Sequence, residues 1–245
     1  MILELKSVTK KFGGLFAIKN LSFSIEEGQI KSVIGPNGAG KTTLFNMISG
    51  AFGPNSGKII FRGEKTNGYS PQELCRQGLA RSFQITNIFQ GLSVYENIRL
   101  SIQGRSKKLG IFKSAKSFNE QKEKVYEVLE MIRLKDNHKD LAGTLSHGDQ
   151  RHLEIGIALA SKPTLLLLDE PTAGMNKNES IETIKLIKSF KGKVTILLIE
   201  HDIDLVFEVS DEIVVLQQGE LLCEGSAQKI KNDKLVKKAY LGEEF

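Results

Sequence analysis

The 245-residue sequence is poor in several features that would each define a class of protein. It has only two cysteines, Cys75 and Cys223, which are too few and too far apart for a disulfide framework. Apolar runs such as Leu165–Leu168 have the length of a strand and fall well short of the ~18 residues that span a bilayer. The first residues lack the charged and then apolar pattern of a leader, so we expect neither a signal nor a transit peptide. These absences predict a cytosolic compartment.

Neither sign of charge is in large excess. The chain has 34 Lys and Arg against 29 Asp and Glu, a net charge of +5, and a pI near 9.0. A basic chain can bind nucleic acid or an anionic membrane surface. Here the basic residues are spread out, and they are densest between Arg105 and Lys124. This distribution is typical of a solvated surface, and we expect no nucleic acid as a partner.

A glycine-rich loop provides the most specific pattern in the sequence. Residues Gly35–Thr43, GPNGAGKTT, match G-x-x-x-x-G-K-[ST] in full, between a predicted strand and a predicted helix. Glycines let backbone N–H groups converge on phosphates, and the helix N-terminus adds a favourable dipole. Lys41 is expected to reach the β- and γ-phosphates, and the Thr42 hydroxyl to ligate Mg²⁺. The sequence therefore predicts a chain that binds ATP with Mg²⁺ and hydrolyses it.

Strands and helices alternate at both ends of the chain, around a mostly helical middle. Alternating apolar and polar residues predict strands at Leu3–Val8 and Leu21–Ile25. The later strands, at 165–168 and 194–199, are largely apolar, as parallel strands covered on both faces are. We predict one α/β domain, 1–245, with a P-loop NTPase (RecA-like) core and an antiparallel β subdomain, formed by 1–84 and 162–245. An all-α subdomain, 85–161, is inserted into it.

Two acidic residues follow the apolar strand at 165–168. Ligands of open α/β sheets bind at the carboxyl ends of the strands, where Asp169 and Glu170 are expected. Asp169 fits the carboxylate on the Mg²⁺ side of a nucleotide site. Glu170, one residue further, is expected to polarise the attacking water as a general base.

A third motif lies between the loop and the acidic strand. Residues Leu145–Arg151, LSHGDQR, open an apolar helix for which Ser146 is the expected N-cap. Such a cap is common by itself. The three motifs occur in a fixed order, with the phosphate loop first and the acidic strand last. This order indicates that Leu145–Arg151 has a function beyond capping a helix.

In this order the motifs resemble those of the ATP-binding cassette (ABC) ATPases, and the resemblance covers nearly the whole chain. Leu145–Gln150 is similar to the family signature, which usually contains Leu-Ser-Gly-Gly-Gln. The resemblance implies that Gln84 is a catalytic and Mg²⁺-binding glutamine, that His201 is the catalytic switch histidine, and that residues 173–176 form the D-loop. It also implies that Phe12 stacks on adenine. The residues expected to contact ATP are then Phe12, Gly35, Pro36, Asn37, Gly38, Ala39, Gly40, Lys41, Thr42 and Thr43, and those expected to hold Mg²⁺ are Thr42, Gln84 and Asp169.

The resemblance further implies that two such domains enclose two ATP molecules. Each ATP would contact the phosphate loop of one subunit and Ser146 and Gly148 of the other. The sequence departs from the family pattern at His147, Asp149 and Asn176, where glycine, glutamine and aspartate are usual, and Phe12 replaces the commoner tyrosine. The two residues that would face the phosphate are intact.

Finer features resemble the ATPase subunits of branched-chain amino acid importers. Urea and short-chain amide importers, and ATPases of lipopolysaccharide export, which share the Leu-Ser-His-Gly signature, remain alternatives. Members that act on DNA or ribosomes fit less well, because the chain lacks sustained heptads and has a single cassette. The pieces that carry this resemblance are 11–15, 80–84, 153–156, 173–176, 199–202, 204–209 and 239–242.

The partners implied by this resemblance are a second ABC ATPase subunit, identical or paralogous, and separate transmembrane permease subunits. An extracytoplasmic solute-binding protein is also expected. The permease helices would dock near Gln84 and Ile85–Asn97, which would make the protein a peripheral component of the cytoplasmic face of the membrane.

Overall fold

The structure is a computed structural model that describes residues 1–82, 88–104 and 115–241. The strands are β1 (Leu3–Phe12), β2 (Leu15–Ile25), β3 (Ile30–Ile34), β4 (Ser56–Phe61), β5 (Glu64–Lys65), β6 (Leu79–Arg81), β7 (Leu165–Asp169), β8 (Thr195–Ile199), β9 (Glu212–Gln217) and β10 (Glu220–Gly225). The helices are α1 (Lys41–Ile48), α2 (Pro71–Gln77), α3 (Val94–Gly104), α4 (Ala115–Met131), α5 (His147–Ala160), α6 (Lys177–Lys188), α7 (Ile203–Val209), α8 (Ala227–Asn232) and α9 (Lys234–Leu241).

Two sheets organise these elements. The larger has the order β10-β9-β3-β8-β7-β6, in which the strands from β9 to β6 are parallel and β10 is antiparallel to β9. The smaller is antiparallel, with the order β2-β1-β4-β5. Helices α3 to α5 lie between β6 and β7 in the chain. The predicted α/β fold is confirmed, with its antiparallel sheet and its helical insertion.

Strand β7 shows why a central strand is apolar on both faces. Side chains alternate across a strand. Leu166 and Leu168 therefore pack into a cluster with α4 and α5, whereas Leu165 and Leu167 pack into a second cluster with α1 and the small sheet. All four leucines are fully buried. The strand thus holds the helical insertion and the β subdomain on opposite faces of one sheet.

Helix starts follow the capping residues that the sequence supplies. Ser70, with Pro71 after it, forms a complete capping box with Glu73. Ser146 accepts a hydrogen bond from the Asp149 backbone N–H, and Asp202 caps α7 in the same way. Asn176 forms a second complete box with Glu179 at the start of α6. Each cap satisfies backbone N–H groups that the first turn of a helix leaves without a partner.

The first two strands are longer than the alternating pattern predicts. The pairing of β1 with β2 shifts register between Leu5 and Val8 and again before Lys11. Such irregularities change the face that a side chain occupies, so the alternation is lost although the pairing continues. Within the described residues no helix is long and apolar enough to cross a membrane.

Candidate nucleotide-binding site

The phosphate loop joins the end of β3 to the start of α1, and two of its glycines cannot be replaced by larger residues. Gly35 has φ +155°, and a Cβ there would lie 2.2 Å from the Leu216 carbonyl oxygen. Gly40 has φ +101°, and a Cβ there would lie 2.5 Å from the Ala17 carbonyl oxygen. The loop is therefore packed between β9 and β2, with its open side toward solvent.

Lys41 is the first residue of α1, and its side chain turns back to the loop. Its side chain is buried, and Nζ donates to the carbonyl oxygens of Gly35 at 2.6 Å and Pro36 at 3.2 Å. Burial lowers the pKa of Lys41, while the nearby charges of Glu170 and Asp169 act in the opposite direction. The chain thus holds an ammonium group beside the loop carbonyls, near two carboxylates.

A cleft of about 840 Å³ opens over the loop. Phe12 lies at its edge with 48% of the residue exposed, and its ring meets Phe52 edge-to-face with centroids 5.5 Å apart. A half-exposed ring beside the phosphate loop suits stacking on a base better than a role in the core. The cleft is lined by Phe12, Gly14–Ala17, Lys19, Asn37–Thr43, Glu170, His201, Gln218 and Glu220.

Asp169 is the last residue of β7 and is fully buried. Its Oδ2 accepts a hydrogen bond from Arg81 Nη2 at 2.9 Å, and Oδ1 has no hydrogen-bond partner among the described residues. Burial raises the pKa of Asp169, and the bond to Arg81 opposes that shift.

The donor set fits Mg²⁺. The buried Asp169 oxygen is a hard ligand, and the exposed Thr42 lines the cleft beside the loop. Across the described ranges, no group of three or more His, Cys, Asp or Glu side chains could hold a metal ion alone. Magnesium at nucleotide sites takes one or two protein oxygens and completes its shell with phosphate and water. Gln84, the third predicted ligand, lies outside the described residues.

Glu170 and His201 come together at the ends of neighbouring strands. Glu170 has φ +49°, and its backbone N–H donates to the Ile199 carbonyl oxygen at 2.9 Å. Its Oε1 lies 2.6 Å from His201 Nε2. The two side chains face the cleft from β7 and β8, which pair in parallel. The carboxylate and the imidazole can thus act on one water molecule at the γ-phosphate end of the loop.

Ser146 and Gly148 do not line the cleft of their own chain. Ser146 Oγ donates to Asp149 Oδ2 at 2.8 Å and accepts from the Asp149 N–H at 3.1 Å. Gly148 packs against α6, where a Cβ would lie 3.3 Å from Glu179 Cγ. The helix start is therefore formed, but it lies outside this nucleotide cleft.

Three charged residues around the site were not predicted to have a role in it. Arg151 on α5 donates from Nη2 to the carbonyl oxygens of Asp169 at 2.9 Å and Glu170 at 3.0 Å. Arg81 binds the Asp169 carboxylate from β6. Both arginines connect other elements to the end of β7.

Glu200 is the third of these residues and is buried directly after β8. Its Oε1 accepts from Thr172 N at 2.9 Å and Oγ1 at 2.6 Å, and its Oε2 accepts from His201 N at 3.1 Å. Burial raises the pKa of Glu200, and these hydrogen bonds oppose the shift. Arg81 and Glu200 both lie at carboxyl ends of parallel strands, so the rule that located Asp169 was a signal for them as well.

Comparison with known proteins identifies the family of this chain. Residues 18–173 match the family described as ABC transporter. The chain is 40% identical to the high-affinity branched-chain amino acid transport ATP-binding protein BraF of Pseudomonas aeruginosa, over 99% of this chain and 98% of that protein. It is 38% identical to LivG of Escherichia coli K12, with the same description and coverage.

Solved structures give the same result. The chain superposes on MJ1267, an ATP-binding cassette of an ABC transporter in its ADP conformation, with a TM-score of 0.87, 30% identity and 99% coverage of both chains. It superposes on a dimeric, post-hydrolysis state of the cassette MJ0796 bound to ADP and Pi with a TM-score of 0.76 and 29% identity, over 92% of this chain and 99% of that one.

Proposed function

Because this chain belongs to the ABC transporter family of ATP-binding proteins, we propose that it hydrolyses ATP to energise the import of branched-chain amino acids through separate membrane subunits. The observation that carries this proposal is the single cleft that collects the phosphate loop, Glu170 and His201. It occurs in a chain that matches branched-chain amino acid transport ATP-binding proteins from end to end.

Substrate binding follows from the loop and its surroundings. On binding ATP, Lys41 would exchange its hydrogen bonds to the loop carbonyls for bonds to the β- and γ-phosphates. Those bonds are stronger, because the phosphate oxygens are charged and the carbonyl oxygens are not. Phe12 supplies a ring for the adenine at the opposite end of the cleft. Thr42 and Asp169 would hold Mg²⁺, with Gln84 as the proposed third ligand. An ion held there would supply positive charge to offset the negative charge of the phosphates during hydrolysis.

Hydrolysis requires a base and a group that orients the attacking water. The Glu170 carboxylate accepts the proton of that water. A proton on His201 Nε2, 2.6 Å from Glu170 Oε1, holds the carboxylate in the free chain, and the same N–H would turn to the γ-phosphate or the water once ATP is bound. Glu200 holds the His201 backbone, and Arg151 holds the carbonyl groups of Asp169 and Glu170. These hydrogen bonds hold Glu170 at the end of β7 and His201 after the end of β8.

A second ABC ATPase subunit completes the site. Ser146 and Gly148 lie outside the cleft of their own chain, so they are available to the ATP bound by a partner. The N-terminus of α5, where they lie, carries the positive end of a 14-residue helix and suits a γ-phosphate. We propose that the closed state contains two chains and two ATP molecules.

Membrane subunits are expected to dock beside residues 83–87. Two apolar residues are strongly exposed, Phe89 at 59%, which follows this segment in the chain, and Leu141 at 50%. Leu92 joins their surroundings, because it bonds to the backbone of Phe89 and of Ala142. Exposed apolar groups that lie together mark interaction surfaces. We propose that a cytoplasmic helix of the permease covers them and that the protein is peripheral on the cytoplasmic face of the membrane, with an extracytoplasmic solute-binding protein delivering the cargo.

The test is a reconstituted system. The chain is assembled with the permease subunits and binding protein encoded beside it, and ATP turnover is measured with leucine, urea or a short-chain amide as the solute. Leucine is expected to stimulate turnover, and Lys41→Ala is expected to abolish it. Stimulation by urea or an amide alone would assign a different cargo. Genomic neighbours that encode envelope-lipid proteins, with no binding protein, would overturn the import proposal in favour of lipopolysaccharide export.

A further inference from the structure

Arg81 links three parts of the nucleotide site. Its side chain, 12% exposed, extends from the last residue of β6. Nη2 donates to Asp169 Oδ2 on β7 at 2.9 Å, while Nη1 donates to Asn46 Oδ1 at 2.7 Å and Ser49 Oγ at 3.0 Å. Asn46 belongs to α1, the helix that carries the phosphate-binding lysine, and Ser49 caps its C-terminus. One guanidinium group therefore connects the carboxylate to the phosphate-binding helix.

The carboxylate that Arg81 binds has two oxygens in different situations. Oδ2 is occupied by the guanidinium, and Oδ1 is buried without a hydrogen-bond partner in the described part of the chain. A buried acceptor without a partner disfavours the folded state, so its persistence at a site calls for a ligand. The charge of Asp169 also acts on Lys41, and the next residue, Glu170, lines the nucleotide cleft together with Lys41.

We propose that Arg81 is a positioning residue that fixes the Asp169 carboxylate so that Oδ1 is presented to the Mg²⁺ of bound ATP. This rests on the proposed function, because it takes Asp169 as the Mg²⁺ carboxylate. Residues that orient the ligands of a metal commonly change its affinity when they are replaced.

The geometry requires arginine and not merely a positive charge. A guanidinium presents N–H donors in a rigid plane and can bind three acceptors on two elements at once. Lysine has a single, flexible ammonium group, which can neutralise the carboxylate without fixing its orientation. Replacement by lysine therefore separates orientation from charge.

Arg81 also ends the strand that leads directly into residues 83–87. Its side chain is bound to α1 and to β7, so the end of β6 is joined to both of these elements.

The experiment compares ATP affinity with Mg²⁺ and with EDTA in the full chain. Calorimetric titration with ATP is made for wild type, Arg81→Lys and Arg81→Gln, beside thermal melts. The ratio of the affinity in Mg²⁺ to the affinity in EDTA is expected to fall by about tenfold or more in both variants. The affinity in EDTA itself should stay within about twofold of the wild-type value. Ser49→Ala, which removes one contact of the guanidinium and keeps its charge, is expected to change the ratio in the same direction by a smaller factor.

Three controls make the result decisive. Arg99→Lys, at a salt bridge with Glu96 on α3, should leave the ratio unchanged. An unchanged ratio in Arg81→Lys and in Ser49→Ala would overturn the proposal and leave Arg81 as a neutralising charge. An unchanged ratio in Asp169→Asn would instead show that the assignment of Asp169 to Mg²⁺, and with it that part of the proposed function, is wrong.

Discussion

His201 Nε2 lies 2.6 Å from Glu170 Oε1, although the two residues are 31 positions apart in the chain. The contact exists because β7 and β8 are parallel neighbours and both residues follow the ends of these strands. The pair therefore gives the most direct test of the hydrolytic mechanism.

Glu170→Gln is expected to bind ATP without cleaving it. The amide keeps the shape of the carboxylate but cannot accept the proton, and binding through Lys41 and Thr42 does not depend on it. Removing one negative charge from the γ-phosphate side also favours the closed two-chain state. A dimer should therefore accumulate with ATP in size-exclusion chromatography.

The double variant Glu170→Gln, Ser146→Arg provides the matched control. A long side chain at Ser146 would occupy the position of the partner's γ-phosphate, so the ATP-dependent dimer should be lost. Wild-type turnover by Glu170→Gln, measured with the membrane subunits and any second cassette present, would disprove the role of Glu170 as the base.

Phe12→Ala is expected to weaken ATP binding. Base–aromatic stacking is worth on the order of 1–3 kcal/mol, which corresponds to about tenfold or more in affinity. Because Phe12 is half-exposed, the melting temperature of the Phe12→Ala protein should differ little from that of wild type. Phe89→Ala, which removes another exposed ring away from the cleft, should leave the affinity unchanged. A large loss of thermal stability with unaltered affinity would place Phe12 in the core instead.

Glu200→Gln tests whether the buried acid positions the catalytic pair. The carboxylate accepts three hydrogen bonds, and the amide would turn an N–H group toward one of the three donors. We expect kcat to fall by about tenfold or more, with KM for ATP within about threefold, since no contact to the nucleotide is removed. Thr172→Ser, which keeps the hydroxyl donor, should stay near the wild-type rate. An equal loss of binding and turnover would indicate a general loss of structure.

His152 predicts a loss of stability in mild acid. Its ring is buried, with Nε2 3.2 Å from Thr183 Oγ1, and burial lowers its pKa. As pH falls through about 6.5, the unfolded chain takes up a proton that the folded chain does not. The free energy of unfolding therefore decreases with decreasing pH, by up to about 1.4 kcal/mol per pH unit.

Thermal and urea melts at several pH values measure this slope. His152→Gln should lack this pH-dependent part of the free energy of unfolding. As pH is lowered, wild type should therefore lose more stability than the variant. Equal slopes in wild type and His152→Gln would contradict the prediction.

The sequence alone was sufficient where the chemistry is local. The phosphate loop is contiguous, its glycine spacing can be recognised from the sequence alone, and the helix caps act within three residues. The fold class was predictable for a similar reason, since apolar strands and periodic helices can be recognised one element at a time.

Contacts between elements could not be predicted in the same way. The pairing of Arg81 with Asp169 depends on β6, a strand of three residues, lying beside β7. A strand so short has no periodicity to recognise, and sheet order is set by tertiary packing. The strand-end rule could have indicated that Arg81 and Glu200 lie near the site, but not which residues they bind. The role of Arg151, on α5, had no such signal, because its partners are brought close only by the assembled fold.

The sheet order also has a consequence for synthesis on the ribosome. The strand before the phosphate loop, β3, emerges about 160 residues ahead of its partner β8, which at about 5–20 residues per second means a delay of roughly 10 to 30 s. During that interval both edges of the strand are open to other chains. A nascent chain that stops before Thr195 is therefore expected to be insoluble, and chaperones that cover extended apolar segments should raise the yield of the complete protein.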